Sequence, residues 1–236
     1  MATGERSAIQ GATVTTASAD SGLIEAQVHG CRWELERPAD LESLWAAMGE
    51  GDLGEDERLP YWVELWPAAV LLARFIADRA ECVRGRICLD AGCGLGLPAL
   101  VASSLGACVL AFDYEPEALI FAQKSALRNA VPQPLWAVMD WRRPAIRPGC
   151  ADLLFGADIL YERRFFEPVA ALLDHALAPH GTAWIADPER SVSAGAVERL
   201  EGLGWHVATP LTARVAQGGQ DMTVRLREIT RKSKGE

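Results

Sequence analysis

The chain has 236 residues, of which 50% are hydrophobic and 23% are charged, a composition typical of a folded globular protein. Its 23 basic and 32 acidic side chains give a formal net charge of −9. Because nonspecific nucleic-acid binding depends on cations that neutralise phosphates, this balance argues against a nucleic-acid partner. The charge is compatible with a small-molecule enzyme or with a protein partner that carries lysines.

The six cysteines are spread along the chain without a C-x-x-C pair, and the four histidines show no ligand-like spacing beside them. We therefore expect reduced thiols, no metal site and a cytoplasmic location. No apolar run reaches the roughly 18 residues of a membrane span, and Met1–Asp20 lacks the apolar stretch of a signal peptide. No membrane association is expected.

The N-terminal part is predicted to be irregular. Residues 1–21 are rich in Ala, Thr, Ser and Gly without an apolar period, which predicts a disordered lead-in. Leu23–Glu36 alternates loosely and predicts a hairpin or an edge strand. Leu41–Met48 is a predicted short helix with Asp40 as its cap, and an acidic loop, Gly51–Arg58, follows.

A tryptophan-rich segment, Leu59–Pro67, then precedes a predicted helix over Ala68–Arg79. Residues 22–80 are interpreted as an N-terminal extension that packs on a core domain formed by residues 81–236.

From Arg86 onward, short apolar runs alternate with helical stretches. The predicted strands are Ile87–Leu89, Cys108–Phe112, Leu135–Met139, Leu153–Gly156 and Thr182–Ala186. The predicted helices are Pro98–Leu105, Pro116–Asn129, Phe165–Leu177 and Ala194–Leu203. Apolar strands alternating with helices predict an α/β fold with a doubly wound, mostly parallel sheet. Two last strands without a helix between them, Trp205–Ala208 and Met222–Arg227, bring the count to seven and predict an antiparallel terminal pair.

The most informative segment is the glycine loop Asp90-Ala91-Gly92-Cys93-Gly94-Leu95-Gly96, between the first strand of this sheet and a helix. Glycines let the backbone approach a ligand closely, and ligands of doubly wound sheets bind at this place. A tight turn without a ligand is the structural alternative. The dinucleotide fingerprint requires glycine where the chain has Leu97, which disfavours an NAD-dependent oxidoreductase.

Acidic residues stand at the ends of the first three strands. Asp90 precedes the loop, where it repels a pyrophosphate but tolerates a sulfonium cation. Asp113 is suited to bind two ribose hydroxyls, and Asp140 to accept a hydrogen bond from an adenine amine beside the flat ring of Trp141. Ribose, adenine and a positive charge together indicate S-adenosylmethionine as the cofactor.

These motifs resemble those of the class I S-adenosylmethionine-dependent methyltransferases, over Arg86 to about Leu226. The resemblance implies a Rossmann-like fold with a reversed terminal hairpin, ribose binding by Asp113 and adenine binding by Asp140. We expect cofactor contacts from residues in or beside the motifs: Trp66, Asp90, Gly92, Gly94, Gly96, Asp113, Tyr114, Asp140, Trp141 and Ala157.

Two further segments resemble a seven-strand lysine methyltransferase group that includes the enzymes acting on electron-transfer flavoprotein β-subunit and on calmodulin. Tyr61–Ala68 is similar to its tryptophan-rich lead-in, and Gly156–Glu162 to its Asp-x-x-Tyr motif. Asp158 and Tyr161 are therefore the candidate catalytic residues. In the structural alternatives, Trp62 and Trp66 share one face of a core helix, Asp158 caps a helix and Tyr161 only packs.

Methyl transfer to lysine requires an uncharged amine aligned with the methyl group. An aromatic, water-poor channel lowers the pKa of the amine, whereas a carboxylate alone raises it. Asp158 is therefore assigned first to positioning the amine and second to removing its proton, and Tyr161 to lining the channel.

The predicted function is that of an S-adenosylmethionine-dependent N-methyltransferase acting on a lysine of a protein substrate. A small-molecule N-methyltransferase and a non-catalytic scaffold that keeps the cofactor fold are the alternatives.

Overall fold

The computed structural model describes residues 14–15, 22–39, 60–217 and 220–232. A small antiparallel sheet near the N-terminus consists of β1 (Val14–Thr15), β2 (Leu23–Val28) and β3 (Cys31–Glu36). The main sheet consists of β4 (Ile87–Ala91), β5 (Cys108–Asp113), β6 (Leu135–Val138), β7 (Ala151–Ala157), β8 (Leu177–Pro188), β9 (Trp205–Gln217) and β10 (Gln220–Arg231).

The main sheet has the strand order β6-β5-β4-β7-β8-β10-β9. Its first five strands are parallel, and β10 is antiparallel to both of its neighbours. The predicted fold class is therefore confirmed, including the antiparallel terminal pair. After β4 the chain continues to β5 on one side of β4, and later places β7 on the other side of β4. A crevice therefore forms at the carboxyl ends of β4 and β7.

Helices cover both faces of this sheet. They are α1 (Pro67–Asp78), α2 (Ala80–Val83), α3 (Leu97–Ser104), α4 (Pro116–Arg128), α5 (Phe166–Ala176) and α6 (Ser191–Gly202), with 3-10 turns at Tyr61–Val63 and Arg163–Phe165. Successive residues of β4 point to opposite faces: Cys88 packs with α1, α3 and α4, and Leu89 with α5 and α6. Both faces are apolar because both are covered.

The predicted hairpin over Leu23–Glu36 is formed by β2 and β3. The outer edge of β3 is satisfied by side chains of α4 and its end. The Asn129 amide accepts from the backbone N–H of Glu34 at 3.0 Å and donates to the carbonyl of Glu34 at 2.7 Å. The Ser125 hydroxyl accepts from the N–H of Glu36 at 2.8 Å. These bonds fix the hairpin on the core, since a strand edge otherwise leaves backbone groups unpaired.

Buried residues of the hairpin and of α1 belong to the same hydrophobic cluster as one face of the main sheet. On this face the ring of Phe75 meets that of Trp184 edge-on, with centroids 5.0 Å apart. The division into an extension and a core domain at residue 80 stays a prediction.

Two expectations differ from the structure. Leu135–Met139 is not a fully buried strand, because β6 is the sheet edge and leaves Leu135 72% and Val138 60% exposed. Within the expected disordered lead-in, Val14 and Thr15 pair with β2. The rest of residues 1–21, the predicted helix Leu41–Met48 with its cap Asp40, and the acidic loop Gly51–Arg58 lie outside the described residues.

All six cysteines are free thiols. Within the described ranges, no group of three or more His, Cys, Asp or Glu side chains is placed to hold a metal ion. In the same part of the chain, no helix combines the length and the apolar character needed to cross a membrane.

We expect Asn129→Ala to lower the free energy of unfolding by about 1–3 kcal/mol, because the backbone groups of Glu34 lose their partners in a half-buried place. Urea denaturation measures the change. Gln123→Ala, on the exposed face of the same helix, is the control, with an expected change below about 0.5 kcal/mol. Equal losses in both variants contradict the role given to Asn129.

Candidate active site

A cavity of about 390 Å³ opens at the carboxyl ends of β4, β5 and β7. This is within the size range of small-molecule sites, and it lies at the crevice that the strand order creates. Ten of the twelve expected site residues line it: Trp66, Gly92, Gly94, Gly96, Asp113, Tyr114, Trp141, Ala157, Asp158 and Tyr161.

The glycine loop has a backbone that only glycine adopts easily. Gly92 and Gly96 have φ values of +64° and +84°. A Cβ on Gly92 lies 3.0 Å from the ring of Trp141, and one on Gly96 lies 3.1 Å from Ala122 and 3.2 Å from the ring of Trp136. The loop is therefore closely packed on both sides.

Asp113 holds the middle of this loop. One of its carboxylate oxygens accepts from the N–H of Gly94 at 2.9 Å, and the other accepts from the N–H of Glu115 at 3.1 Å. A carboxylate has about four lone-pair sites, so Asp113 can still accept a hydrogen bond from a ligand. Burial raises the pKa of Asp113 to about 6, against the opposing effect of the backbone donors at Glu115, Gly94 and Tyr114.

Asp90 differs from the expected cofactor contact, because its side chain does not line the cavity. It is 1% exposed and accepts from the N–H of Ala99, in the first turn of α3, at 3.0 Å. A carboxylate is stabilised near a helix N-terminus, where N–H groups lack partners in the helix. Asp90 therefore stabilises the turn between β4 and α3 from its buried position behind the loop.

Asp140 is the second expected cofactor contact outside the cavity lining, and its role in adenine binding stays a prediction. It does not line the cavity, and its two oxygens accept from Arg142, from the backbone N–H at 2.8 Å and from Nε at 2.7 Å. Such a short-range contact is typical of an Asp in a turn. Its neighbour Trp141 does reach the cavity wall.

Aromatic rings form a continuous wall between α1 and the loop after β7. Tyr61 meets Trp66 at 6.1 Å and Tyr161 at 5.8 Å between ring centroids, and Phe165 meets Tyr161 at 4.9 Å. Trp141 continues the wall at 5.4 Å from Phe165. Burial raises the pKa of Tyr161, so its phenol is uncharged at neutral pH.

The two tryptophans of the lead-in do not share a helix face. Trp62 lies in a 3-10 turn and stacks on Phe121 at 5.7 Å, whereas Trp66 is the cap residue before α1 and lines the cavity. The alternative of one core helix is therefore wrong for this pair.

Asp158 stands directly after β7 in a left-handed conformation, with φ +56°. This backbone is uncommon for a residue with a side chain and is typical of functional sites. The backbone N–H of Asp158 donates to the carbonyl of Ala186 at 2.8 Å, which ties it to β8.

The Asp158 carboxylate pairs with Arg190 through both oxygens, at 2.7 and 3.1 Å, and does not cap a helix. Burial raises the pKa of Asp158, while Arg190 opposes the rise. Sequence reasoning missed Arg190, which is 32 residues away. The only available signal was that Arg190 follows β8, whose carboxyl end borders the same crevice.

The fold is that of the S-adenosylmethionine-dependent methyltransferases. A ribosomal protein L11 methylase from Lactobacillus delbrueckii subsp. bulgaricus has a TM-score of 0.56 at 22% identity, covering 70% of this chain and 79% of that chain. A TehB-like methyltransferase from Corynebacterium glutamicum has a TM-score of 0.53 at 25% identity, covering 68% and 87%.

A family model described as lysine methyltransferase matches residues 53–195, which is more than half of the chain. The chain therefore belongs to the lysine methyltransferase family.

Relatives with assigned activities support this membership. The electron transfer flavoprotein beta subunit lysine methyltransferase of Xenopus laevis is 32% identical over 173 residues, covering 70% of this chain and 68% of that protein. Its Danio rerio counterpart is 35% identical over 135 residues, covering 56% and 51%. Histone-arginine methyltransferase METTL23 of Mus musculus is 28% identical over 116 residues, covering 47% and 46%. The chain thus spans about half to two thirds of these relatives.

The buried carboxyl of Asp90 makes stability depend on pH in a defined direction. Burial raises its pKa from 3.8 to about 7 on folding. Its contribution to stability is therefore present below the unfolded-state pKa and is lost as the pH rises through about 7.

We expect Asp90→Asn, whose amide oxygen accepts the same N–H without titrating, to gain stability relative to the wild type between about pH 5 and pH 8. The gain exceeds about 1.4 kcal/mol, the value of one pKa unit, in urea denaturation. Asp174→Asn, at an exposed carboxylate, serves as the control. A difference between Asp90→Asn and wild type that does not change with pH contradicts the account.

Proposed function

We propose that this protein is an S-adenosylmethionine-dependent N-methyltransferase that methylates a lysine side chain of a protein substrate. The observation that carries the proposal is one cavity whose two ends differ in chemistry. At one end Asp113 holds the glycine loop, and at the other Asp158 stands beside the aromatic wall. The first end suits a nucleoside and the second suits an amine.

The residues around the glycine loop fit the cofactor. The Asp113 carboxylate would accept hydrogen bonds from the ribose hydroxyls, and Gly92, Gly94 and Gly96 line the cavity, where their backbone can approach the ligand. Tyr114, Trp141, Ala157 and Trp66 supply the remaining walls, and Asp90 supports the loop without contacting the ligand. The cofactor supplies an electrophilic methyl group on a positively charged sulfur, which an uncharged amine takes in one displacement.

The opposite end of the cavity can receive a lysine side chain. The rings of Tyr61 and Tyr161 meet edge-on and both line the cavity, where they offer an aromatic surface that suits the methylene groups of lysine. Asp158 accepts a hydrogen bond from the amine and orients its lone pair toward the methyl group. After the methyl group has been transferred the nitrogen carries one proton too many, and helping that proton to leave is the second role of Asp158.

Family membership supports lysine as the acceptor, and the electron transfer flavoprotein β-subunit, named for two relatives, is the first protein to test. We place the reaction in the cytoplasm, which the six free thiols support. Transfer to a small-molecule amine is the second candidate function, since the acidic and aromatic lining of the cavity also suits a free amine.

The test is transfer of a labelled methyl group from S-adenosylmethionine into proteins of a cell lysate and into purified electron transfer flavoprotein, followed by mass spectrometry. We expect label on lysine in a protein band with the wild type. Asp158→Asn, which keeps the shape and tolerates the left-handed backbone, is expected to lower the initial rate about 100-fold or more.

Asp174→Asn, which removes an exposed carboxylate far along α5, is the matched control and keeps the wild-type rate. Thermal unfolding of both variants checks that they fold. Label found only in small molecules supports the second candidate and overturns the protein substrate. Label on arginine overturns lysine as the acceptor.

A further inference from the structure

Arg190 is the one cationic side chain among the described residues that line the cavity. Carboxylates predominate in the same wall: Glu64, Asp113, Glu115, Asp158 and Glu162. The proposed function brings two positively charged groups to this cavity, a sulfonium and a lysine. A guanidinium in this cavity repels both positive charges, so the position of Arg190 is explained by the group that it binds.

That group is Asp158. Nη1 of Arg190 lies 2.7 Å from one carboxylate oxygen and Nη2 lies 3.1 Å from the other, the parallel two-bond geometry of strong arginine–carboxylate pairs. The Asp158 side chain is 8% exposed and that of Arg190 is 35% exposed. Each oxygen keeps a lone pair that can accept a further hydrogen bond.

The backbone fixes both members of the pair. The N–H of Asp158 donates to Ala186 of β8, and the N–H of Glu189, next to Arg190, donates to Thr223 of β10 at 2.8 Å. Both members of the pair therefore stand on segments that are hydrogen-bonded to the sheet, Asp158 directly and Arg190 through its neighbour Glu189.

Three other acidic groups, near Asp158 or in the cavity wall, are already paired with arginines. On β8, Asp187 binds Arg227 of β10 at 2.8 Å, with both side chains nearly fully buried. Glu162 pairs with Arg164 at 2.7 Å, and Glu64 on the opposite wall pairs with Arg37 at 2.9 Å. Tyr161 is uncharged. Arg190 is therefore the group that balances the charge of Asp158.

We infer that Arg190 is a positioning residue for the acceptor: it neutralises Asp158, so that the site takes up an uncharged amine as a hydrogen-bond donor. This inference rests on the proposed function. A buried carboxylate without a cation stabilises the ammonium form and raises the pKa of a nearby amine by about 1–3 units. An ammonium has no lone pair and does not accept a methyl group. With Arg190 in place, the oxygens of Asp158 still orient the amine but no longer favour its charged form.

The first test measures cation binding without any reaction. Isothermal calorimetry at neutral pH, with S-adenosylhomocysteine present, compares n-butylammonium with 1-butanol, which has the same number of heavy atoms and no charge. We expect Arg190→Met to bind n-butylammonium about tenfold or more tightly than the wild type, with the affinity for 1-butanol unchanged. Arg190→Lys keeps the charge and is expected to resemble the wild type.

Equal affinities of wild type and Arg190→Met for n-butylammonium overturn the inference. An equal gain in affinity for 1-butanol also overturns the inference, because it shows that the substitution has only enlarged the cavity.

The second test is the pH dependence of methyl transfer into the labelled lysate proteins. In Arg190→Met we expect the rate to rise at a pH that is higher than in the wild type by about one pH unit or more. At high pH the rates of the variant and the wild type converge. Arg190→Lys restores the wild-type profile. A fall by the same factor at every pH indicates structural damage and overturns the inference. If the wild type labels no lysine at any pH, the proposed function fails, and the calorimetric comparison still decides what Arg190 does to Asp158.

Discussion

The site depends on two buried carboxylates that hold the glycine loop from neighbouring strands. Asp90, on β4, accepts from the start of α3, and Asp113, at the end of β5, accepts from Gly94 in the middle of the loop. Together they fix the loop at the point where the strand order turns back on itself. Their burial raises the pKa of both groups, so the free energy of unfolding falls as they ionise near neutral pH.

The rest of the cavity is arranged around this fixed loop. Trp141 packs on Gly92, and Trp136 on Gly96, which leaves no space for a side chain at either of these two glycines. At the far end, Asp158 and Arg190 extend from β7 and β8, whose ends are joined by a backbone hydrogen bond. One sheet edge therefore brings together the glycine loop, the Asp113 carboxylate and the paired carboxylate of Asp158, within the segment that the lysine methyltransferase family model matches.

Much of this arrangement could be predicted from the sequence because parallel strands bring their carboxyl ends to one edge. The pattern of apolar strands and helices therefore places Asp113, the glycine loop and Asp158 together without any knowledge of contacts. The pattern does not tell which strand is outermost, so the exposure of Leu135 on β6 was not anticipated. Nor does it separate an acid that lines the cavity, as Asp113 does, from one that lies behind it, as Asp90 does.

Side-chain pairs are the other part that the sequence did not reveal. Arg190 reaches Asp158 from 32 residues away, and no periodicity links the two. Asp140 accepts from Arg142, two residues on, a local contact that was also not predicted although an Asp often makes it in a turn. Calorimetry with S-adenosylhomocysteine tests the role given to Asp113 most directly. Asp113→Asn is expected to bind this ligand at least about tenfold more weakly than the wild type, the effect of one lost charge-assisted hydrogen bond. The affinity of Asp140→Asn is expected to stay within about threefold of the wild-type value. Wild-type affinity in Asp113→Asn would contradict the role of Asp113.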